Sequence, residues 1–242
     1  MNTTQNGAFL TRIRVLSGAQ LKYIAFASML IDHINKALIY PKLDGGWLLS
    51  LSDAFDILGR IAFPLFAFLL VEGFFHTHSR KKYLGTLLLF GVISEIPFDL
   101  FSTGVLVNWR WQNVMFSLAM MLVTIWMIDY LREKLADNPH VIWYLLSFII
   151  VAVMCYAAMF TGVDYEHHAI LIGYVFYLMH KHPFWSIALG YCSIWKEPWS
   201  LLGFGLTLAY NGERGKQYKL LNYCFYPGHL LILGLLRLYW GI

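Results

Sequence analysis

The sequence predicts an all-α, polytopic transmembrane helix bundle, on the basis of composition, span length and charge placement. Hydrophobic residues make up 59% of the 242 residues, and charged residues only 13%. A soluble domain carries about 25% charged residues, because its surface must be polar. The net charge of +4 is spread over short loops, as in ordinary membrane topology. The chain is therefore predicted to be a single membrane domain over residues 1–242, in contact with lipids and without a nucleic-acid partner.

About nine helical spans are predicted, because a helix needs roughly 20 mostly apolar residues to cross about 30 Å of hydrocarbon. The segment 141–160 is the clearest, since it carries no charge. The predicted spans are 21–39, 57–75, 83–101, 112–131, 141–160, 169–179, 184–195, 199–210 and 220–240. The longest connection, 41–56, contains an apolar GWLLSL core, for which a short interfacial helix and a plain linker both stay open.

The placement of lysine and arginine predicts the orientation of the chain. With the N-terminus in the cytoplasm, most basic residues fall on the inner side, and the outer loops receive only Lys42, Arg110 and Lys196. Such an excess of inner positive charge sets orientation in membrane proteins. We therefore expect a cytoplasmic N-terminus.

Ionisable residues within the predicted spans are the candidates for function, because they are costly in lipid. They are Asp32, His33 and Lys36 of "MLIDHINKAL", and further along the chain Arg60, Glu72, Glu95, Asp99 and His229. Asp32 and Lys36 are spaced i, i+4 and can pair along one helix face. Arg60 of the next span is the alternative partner of Asp32. Three candidates also have structural interpretations: Glu95 and Asp99 beside Pro97 as a network or cap, and His229 after Pro227-Gly228 as a donor to a backbone carbonyl.

His33 stands out because of its relation to Lys22. Eleven residues separate them, which places both side chains within roughly 20° of one helix face and about 16 Å apart along the axis. A long ligand with an anionic head at Lys22 would reach His33 with its other end. His33 is therefore the candidate general base, although a structural role is the alternative. The adjacent Asp32 diverges from it by about 100° and is a structural or electrostatic neighbour.

Four stretches resemble the TraX family, named for the membrane protein that acetylates F pilin. They are Leu58 to Leu100, beginning "LGRIAFPLFAFLLVEG", "KYIAFASMLIDHI" from Lys22, "NGERG" from Asn211 and "FYPGHL" from Phe225. Lys22 with His33 is also similar to the basic-x10-His signature of the acyltransferase-3 and heparan glucosaminide acetyltransferase groups. The resemblance implies a transmembrane acyltransferase in the inner (cytoplasmic) membrane, an N-acetyltransferase that draws on cytoplasmic acetyl-CoA. The implied acceptor is the N-terminal amine of a pilin-like protein.

These implications give the polar residues roles. His33 and Asp32 would form the catalytic pair, with no metal. The remaining predicted substrate and coenzyme A contacts are Lys22, Arg60, Glu72, Asn211, Arg214, Tyr226 and His229. Lys22, Asn211 and Arg214 would form a basic mouth for coenzyme A, shaped by Glu72. Arg60, near the outer end of its span, would meet Asp32 or the acceptor, and Tyr226 and His229 would close the cavity.

Several alternatives remain open at this point. His33 would act either as a general base or through an acetyl-histidine intermediate. A glycan or lipid hydroxyl would use the same base as an amine. A proton-coupled transporter also carries ionisable residues in its spans, and a non-catalytic assembly factor for a secretion or conjugation machine is a third class.

Overall fold

The computed structural model describes residues 12–241, and this part of the chain is helical without a β-strand. The α-helices in chain order are α1 (Gly18–Ile34), α2 (Trp47–Gly59), α3 (Ala62–His76), α4 (Arg80–Thr103), α5 (Val114–Lys134), α6 (His140–Thr161), α7 (Glu166–Leu178), α8 (Pro183–Cys192), α9 (Ser200–Leu206) and α10 (Lys219–Trp240). The all-helical class is confirmed. Residues 1–11 and 242 of the predicted domain lie outside the described residues.

Four segments of the described chain are long and apolar enough to cross a membrane. They are Trp47–His76, Arg80–Thr103, Val114–Lys134 and His140–Thr161. These segments support the predicted membrane character, but the prediction of about nine spans is not confirmed. The segments after Gly162 are helical where expected, yet α7, α8 and α9 contain only 13, 10 and 7 residues.

Helix α1 begins at a capping box and ends in a wider turn. The Ser17 hydroxyl accepts the Gln20 backbone N–H, and the Gln20 side chain accepts the Ser17 backbone N–H. This reciprocal pair satisfies donors that a helix start leaves unpaired. A π-helical turn, Asn35–Ile39, continues α1 beyond Ile34. Such turns are frequent at functional sites, and this one follows directly after Asp32 and His33.

Helices α2 and α3 form one long segment with a short break at Arg60 and Ile61. Pro64 explains the break, because proline donates no hydrogen bond and its ring crowds the carbonyl four residues earlier, which is that of Arg60. The predicted start of this span at residue 57 is wrong, since helix begins at Trp47. The linker alternative for 41–56 is likewise excluded over 47–56. Arg60 consequently lies near the centre of Trp47–His76 and not near the outer end.

Polar contacts hold α1 and α2 together. The Ser28 hydroxyl donates to the Leu58 carbonyl at 2.6 Å, and the Asn35 side-chain amide donates to the Ser52 carbonyl at 3.0 Å. The two helices are therefore antiparallel neighbours, and Asp32 is brought opposite Arg60.

The last helix returns to the first half of the chain. Helix α10 packs along α4, and α1 packs against α2 and α3. The Arg237 guanidinium donates to the Phe101 carbonyl at 2.6 Å and to the Ser102 carbonyl at 3.0 Å, which satisfies carbonyls at the end of α4. This packing places the "FYPGHL" stretch of α10 beside His33.

Candidate functional site

A cavity of about 360 Å³ lies between α1, the break after α2 and the start of α7. We call it the histidine cavity. Its polar wall contains Asp32, His33, Lys36, Arg60, Asp164, Tyr165, Glu166, His168, Lys196, Glu197 and Tyr226. It reaches the surface near Lys36 and Glu197, whose side chains are 48% and 40% exposed. His33 therefore lines a cavity that is open to the surface.

Several charges of the histidine cavity are paired with one another. Lys36 Nζ lies 2.7 Å from Asp32, as the i, i+4 spacing predicted, and Arg60 lies 3.3 Å from the same carboxylate. Arg60 also contacts Asp56 at 2.5 Å and Glu197 at 3.5 Å. Asp32 thus bonds to both predicted partners. Truncating one member of such a buried network would leave the other charges uncompensated.

His33 has a second histidine as its partner. Its Nδ1 lies 2.7 Å from Nε2 of His229, and Nδ1 of His229 lies 2.6 Å from the Phe225 carbonyl. A carbonyl only accepts, so Nδ1 of His229 carries the hydrogen. In a neutral His229 ring, Nε2 then accepts the hydrogen bond from Nδ1–H of His33. Neutral His33 is left with a lone pair on Nε2, as a proton acceptor requires.

The two predicted closing residues differ in position. Tyr226 lines the histidine cavity. His229 lies behind His33, outside the cavity lining, with the two rings stacked 5.0 Å apart. The prediction that His229 closes the cavity is therefore wrong, whereas its expected bond to a backbone carbonyl is confirmed.

Gly59 is a site residue that was not predicted from the sequence. A Cβ added there would lie 2.5 Å from Cβ and 2.6 Å from Oδ1 of Asp32. Only glycine allows α2 to approach Asp32 this closely. The signal was present in the sequence, since Gly59 immediately precedes Arg60 in "LGRIAFP", but a glycine in an apolar helix has no distinctive pattern by itself.

A second polar region, which we call the lysine mouth, is formed by Lys22, Asn211, Arg214 and Gln217. Lys22 Nζ donates to the Gln217 side chain at 3.1 Å. The loop is fixed on the start of α1, where the Gly18 N–H donates to the Glu213 carbonyl and the Ala19 N–H to the Arg214 carbonyl. Within residues 12–241, neither Lys22 nor Arg214 forms an ion pair. The loop that contains Asn211 and Arg214 therefore lies against the start of α1, as predicted.

The path from Lys22 to His33 is closed by an aromatic layer, Phe26, Phe66 and Phe225. The rings of Phe26 and Phe225 stack 4.3 Å apart, and those of Phe26 and Phe66 lie 5.8 Å apart. Phe225 stacks in turn on His229 at 4.7 Å. The histidine cavity includes Phe66 but does not extend to Lys22. A ligand that reaches from Lys22 to His33, as predicted, would therefore have to displace the large rings that fill the space along that face of α1.

The remaining acidic candidates lie outside the histidine cavity. Glu72 bonds to His180 at 2.7 Å and lies 3.9 Å from His76. Glu95 accepts a hydrogen bond from the Asn113 side chain, and Asp99 accepts the Asn108 N–H at 2.7 Å. The network interpretation of Glu95 and Asp99 is confirmed. Among the described residues, no group of His, Cys, Asp and Glu is arranged to hold a metal ion.

The turn before α7 forms part of the wall of the histidine cavity and has a strained backbone. Tyr165 and Glu166 have φ angles of 61° and 42°, a conformation that costs about 1–3 kcal/mol in a non-glycine residue. The Tyr165 ring stacks on Phe63 at 3.7 Å, and its pKa is raised by burial. Such strain persists only when the surrounding contacts hold it, and it is concentrated at functional sites.

Comparison with known proteins assigns the chain to a family. The family model described as TraX protein matches residues 17–237. The chain is 31% identical over 244 residues to the probable fimbrial assembly protein FimC, serogroup H1, of Dichelobacter nodosus, covering 90% of this chain and 94% of that protein. No solved structure matches. The matched region contains nearly all of the described helices, and the chain therefore belongs to the TraX family.

Proposed function

We propose that this protein is an N-acetyltransferase that moves the acetyl group of acetyl-CoA to the N-terminal amine of a pilin-like protein. The relation to fimbrial assembly is inferred from the name of the Dichelobacter nodosus relative. The observation that carries the catalytic part is the hydrogen-bond chain from the Phe225 carbonyl through His229 to His33. This chain leaves a proton-accepting nitrogen in the wall of a cavity that reaches the surface.

The reaction needs one base and no redox partner. The acceptor nitrogen attacks the thioester carbonyl, so that a C–N bond forms and the C–S bond of acetyl-CoA breaks. His33 Nε2 takes a proton from the attacking nitrogen, and the departing coenzyme A thiolate accepts that proton. The charge that develops on His33 is stabilised through its Nδ1–H, which donates to His229. Positioned general bases of this kind contribute roughly 10²–10⁴-fold.

The donor would bind at the lysine mouth. Coenzyme A carries several phosphate charges, and Lys22 and Arg214 are cations without an ion-pair partner in the described chain. Charge-assisted hydrogen bonds to phosphate are among the stronger contacts a protein forms. The thioester would pass the aromatic layer, and the Pro227-Gly228 pair in α10 offers a bend at which Phe225 could move aside. A cytoplasmic N-terminus in the inner membrane would face this mouth towards the acetyl-CoA pool.

Asp32 acts in this proposal through its neighbours. Its carboxylate holds Lys36 and Arg60 in the cavity wall, where their positive charge would favour the oxyanion of the tetrahedral intermediate. Asp32 is thus a positioning residue, and His33 is the base.

The test is turnover by the purified full chain in detergent or nanodiscs. Release of free coenzyme A from acetyl-CoA, with a free-amine peptide as acceptor, is expected for the natural sequence. His33→Ala should lower this rate by about 10²–10⁴-fold, whereas His140→Ala, at the exposed start of α6, should leave it unchanged. Equal rates for the two variants would exclude His33 as the base, and trapping of an acetylated His33 would favour the covalent route.

One observation favours a second function. The break between α2 and α3 lies near the middle of a long apolar segment and lines a cavity, as do the interrupted helices of many transporters. A proton-coupled transporter would show pH-driven uptake in vesicles and no release of coenzyme A. A sugar or lipid acceptor, by contrast, would release coenzyme A with a hydroxyl substrate as fast as with an amine.

A further inference from the structure

A second cavity lies directly beside the histidine cavity. It has a volume of about 280 Å³ and is lined by Phe98, Ser102, Thr103, Trp111, Gln112 and Asp164. Phe98, Trp111 and Asp164 also line the histidine cavity. The two cavities therefore adjoin each other, and together we call them the elongated recess, with His33 in one part and Thr103 and Gln112 in the other. A recess of this form fits a linear molecule better than a compact one.

Asp164, which both cavities share, is held rigidly by its backbone. Its N–H donates to the Gln112 carbonyl at 3.0 Å, and its carbonyl accepts a hydrogen bond from Ser117. One carboxylate oxygen, Oδ1, accepts the Tyr165 N–H at 3.0 Å. Within the described chain Oδ2 has no hydrogen-bond partner, so it is available to a ligand in the recess.

Asp164 also lacks the direct ion pair that other acids of the recess form. Asp32 is paired with Lys36 and Arg60, and Glu197 is paired with Arg60. Asp164 forms no ion pair within residues 12–241. Burial raises the pKa of its carboxyl, which lies in the loop between α6 and α7, and the more distant charges of Lys36 and Arg60 oppose this rise. A cationic ligand would add the direct ion pair that these two residues do not form with it.

An independent observation marks the second cavity as a binding surface. Ser102 lines it, and the Ser102 hydroxyl is buried without a hydrogen-bond partner in the described chain. Buried polar groups are nearly always bonded, and an unbonded one calls for an unseen partner. Peptide N–H and carbonyl groups are partners of the right kind. Trp111, half-exposed beside it, offers a flat apolar surface to a side chain.

We propose that this elongated recess binds the amino-terminal end of an extended peptide, with the α-ammonium at Asp164 and the next residues along Trp111 and Ser102. This inference rests on the proposed acetyl transfer and specifies where its peptide acceptor binds. The bound ammonium releases one proton to solvent, and His33 Nε2 takes a second as the C–N bond forms. The thiolate accepts that second proton, so one proton is released in each cycle.

The test compares two acceptors with the purified full chain: a lysine-free hexapeptide with a free α-amine, and glycinamide, which has the amine but no following residues. The hexapeptide should have a KM about tenfold lower, because only it occupies the second cavity. Trp111→Ala should raise the hexapeptide KM towards that of glycinamide, and it should raise the glycinamide KM by a smaller factor. Equal KM values for both acceptors in the natural sequence would overturn the peptide assignment.

Asp164→Asn tests the ammonium contact with little change in shape, because an amide oxygen can still accept the Tyr165 N–H. It should raise the KM of both acceptors about tenfold, with the KM of acetyl-CoA unchanged. The matched control is Asp53→Asn, an exposed acid of α2 outside both cavities. An unchanged acceptor KM in Asp164→Asn would contradict the proposal.

Peptide binding without acetyl-CoA separates this inference from the proposed function. The free-amine hexapeptide should bind about tenfold more tightly than its N-acetylated form, and Asp164→Asn should abolish that difference. If binding follows this pattern but no turnover is detected, the proposal of a peptide site stands and the proposal of an acetyltransferase is rejected. The opposite outcome is turnover together with peptide binding that changes neither on N-acetylation of the peptide nor in Asp164→Asn. That outcome would reject the peptide site but not the acetyltransferase.

Discussion

The histidine cavity and the lysine mouth differ in whether their charged side chains form ion pairs. In the histidine cavity, Arg60 contacts three carboxylates and Lys36 contacts one. In the lysine mouth, Lys22 bonds to a neutral amide and Arg214 contributes its backbone carbonyl to α1. Paired charges deep in a membrane protein stabilise the fold and shape a site, whereas unpaired cations at its edge remain free for an anionic ligand. Under the proposed function, the histidine cavity would position the reacting groups and the lysine mouth would bind the donor.

Between these regions lies the aromatic layer, Phe26, Phe66 and Phe225, with ring separations of 4.3 and 5.8 Å. Lys22 and His33 are about 16 Å apart along α1, so the layer separates two polar regions on one helix. If the protein transfers acetyl groups, variants in the two regions should affect different kinetic constants. The following predictions test that separation, from the largest effect to the smallest.

Removing the shared carboxylate should affect stability most. Asp32→Ala leaves Lys36 and Arg60 without a buried partner and should lower the free energy of unfolding by about 3 kcal/mol. Unfolding in detergent, followed by circular dichroism, measures this loss. Asp53→Ala, which removes an exposed acid of α2, is expected to change stability by less than about 0.5 kcal/mol. Equal stability of the two variants would mean that the charges of the cavity are solvated and not mutually paired.

His229 should control the rate through His33. His229→Ala removes the acceptor of the His33 Nδ1–H bond and should lower kcat about 10²-fold, with the KM of acetyl-CoA unchanged. His229→Gln should retain more activity than His229→Ala, because its amide oxygen can accept the same bond. A purely structural His229 would show no such rescue, and both variants would lose stability in proportion to their activity.

Substitutions in the lysine mouth should affect donor binding alone. Lys22→Ala should raise the KM of acetyl-CoA about tenfold, because one charge-assisted bond to phosphate is lost, with kcat and the KM of the acceptor unchanged. The defect should grow smaller at high salt, since screening weakens the bond in the natural sequence as well. Lys42→Ala, in the connection before α2 at the other end of α1, serves as the control. A changed acceptor KM in Lys22→Ala would contradict the separation of the two regions.

The smallest effect is expected at the bend of α10. A Cβ at Gly228 would meet nothing within 4 Å, so Gly228→Ala should stabilise the helix by about 1 kcal/mol. If Phe225 moves through a bend at Pro227-Gly228, the same change should lower kcat about threefold. Gly85→Ala, in the interior of α4 with equally open space, should stabilise without slowing turnover. A Gly228→Ala protein with full activity would show that the layer opens elsewhere.

Contacts along one helix were predictable from spacing. The Asp32–Lys36 pair follows from the i, i+4 rule, and Arg60 was already one of two expected partners of Asp32. The alignment of Lys22 with His33 also follows from helix geometry, but it gave no indication of the rings between them. A helix over GWLLSL was only one of two open alternatives, because a short apolar stretch between polar residues fits a linker and a helix equally well.

Contacts across the chain were not predictable. His33 and His229 are 196 residues apart in the sequence, and no local pattern indicates which of two histidines faces a cavity. Asp164 lies between the predicted spans 141–160 and 169–179, and its place between two cavities depends on how α7 packs against α3 and α5. The role of Gly59 likewise exists only because Asp32 lies opposite it.

The sequence by itself determined the helical class, the membrane character, the family resemblance and the residues that carry charge within apolar helices. These properties depend on composition and on the 3.6-residue period, which are local. Only the tertiary structure decided that His229 lies behind His33, that aromatic rings separate Lys22 from His33, and that Asp164 has no ionic partner within the described chain. Such properties depend on which distant helices pack together, and packing is set by the shapes of many side chains at once.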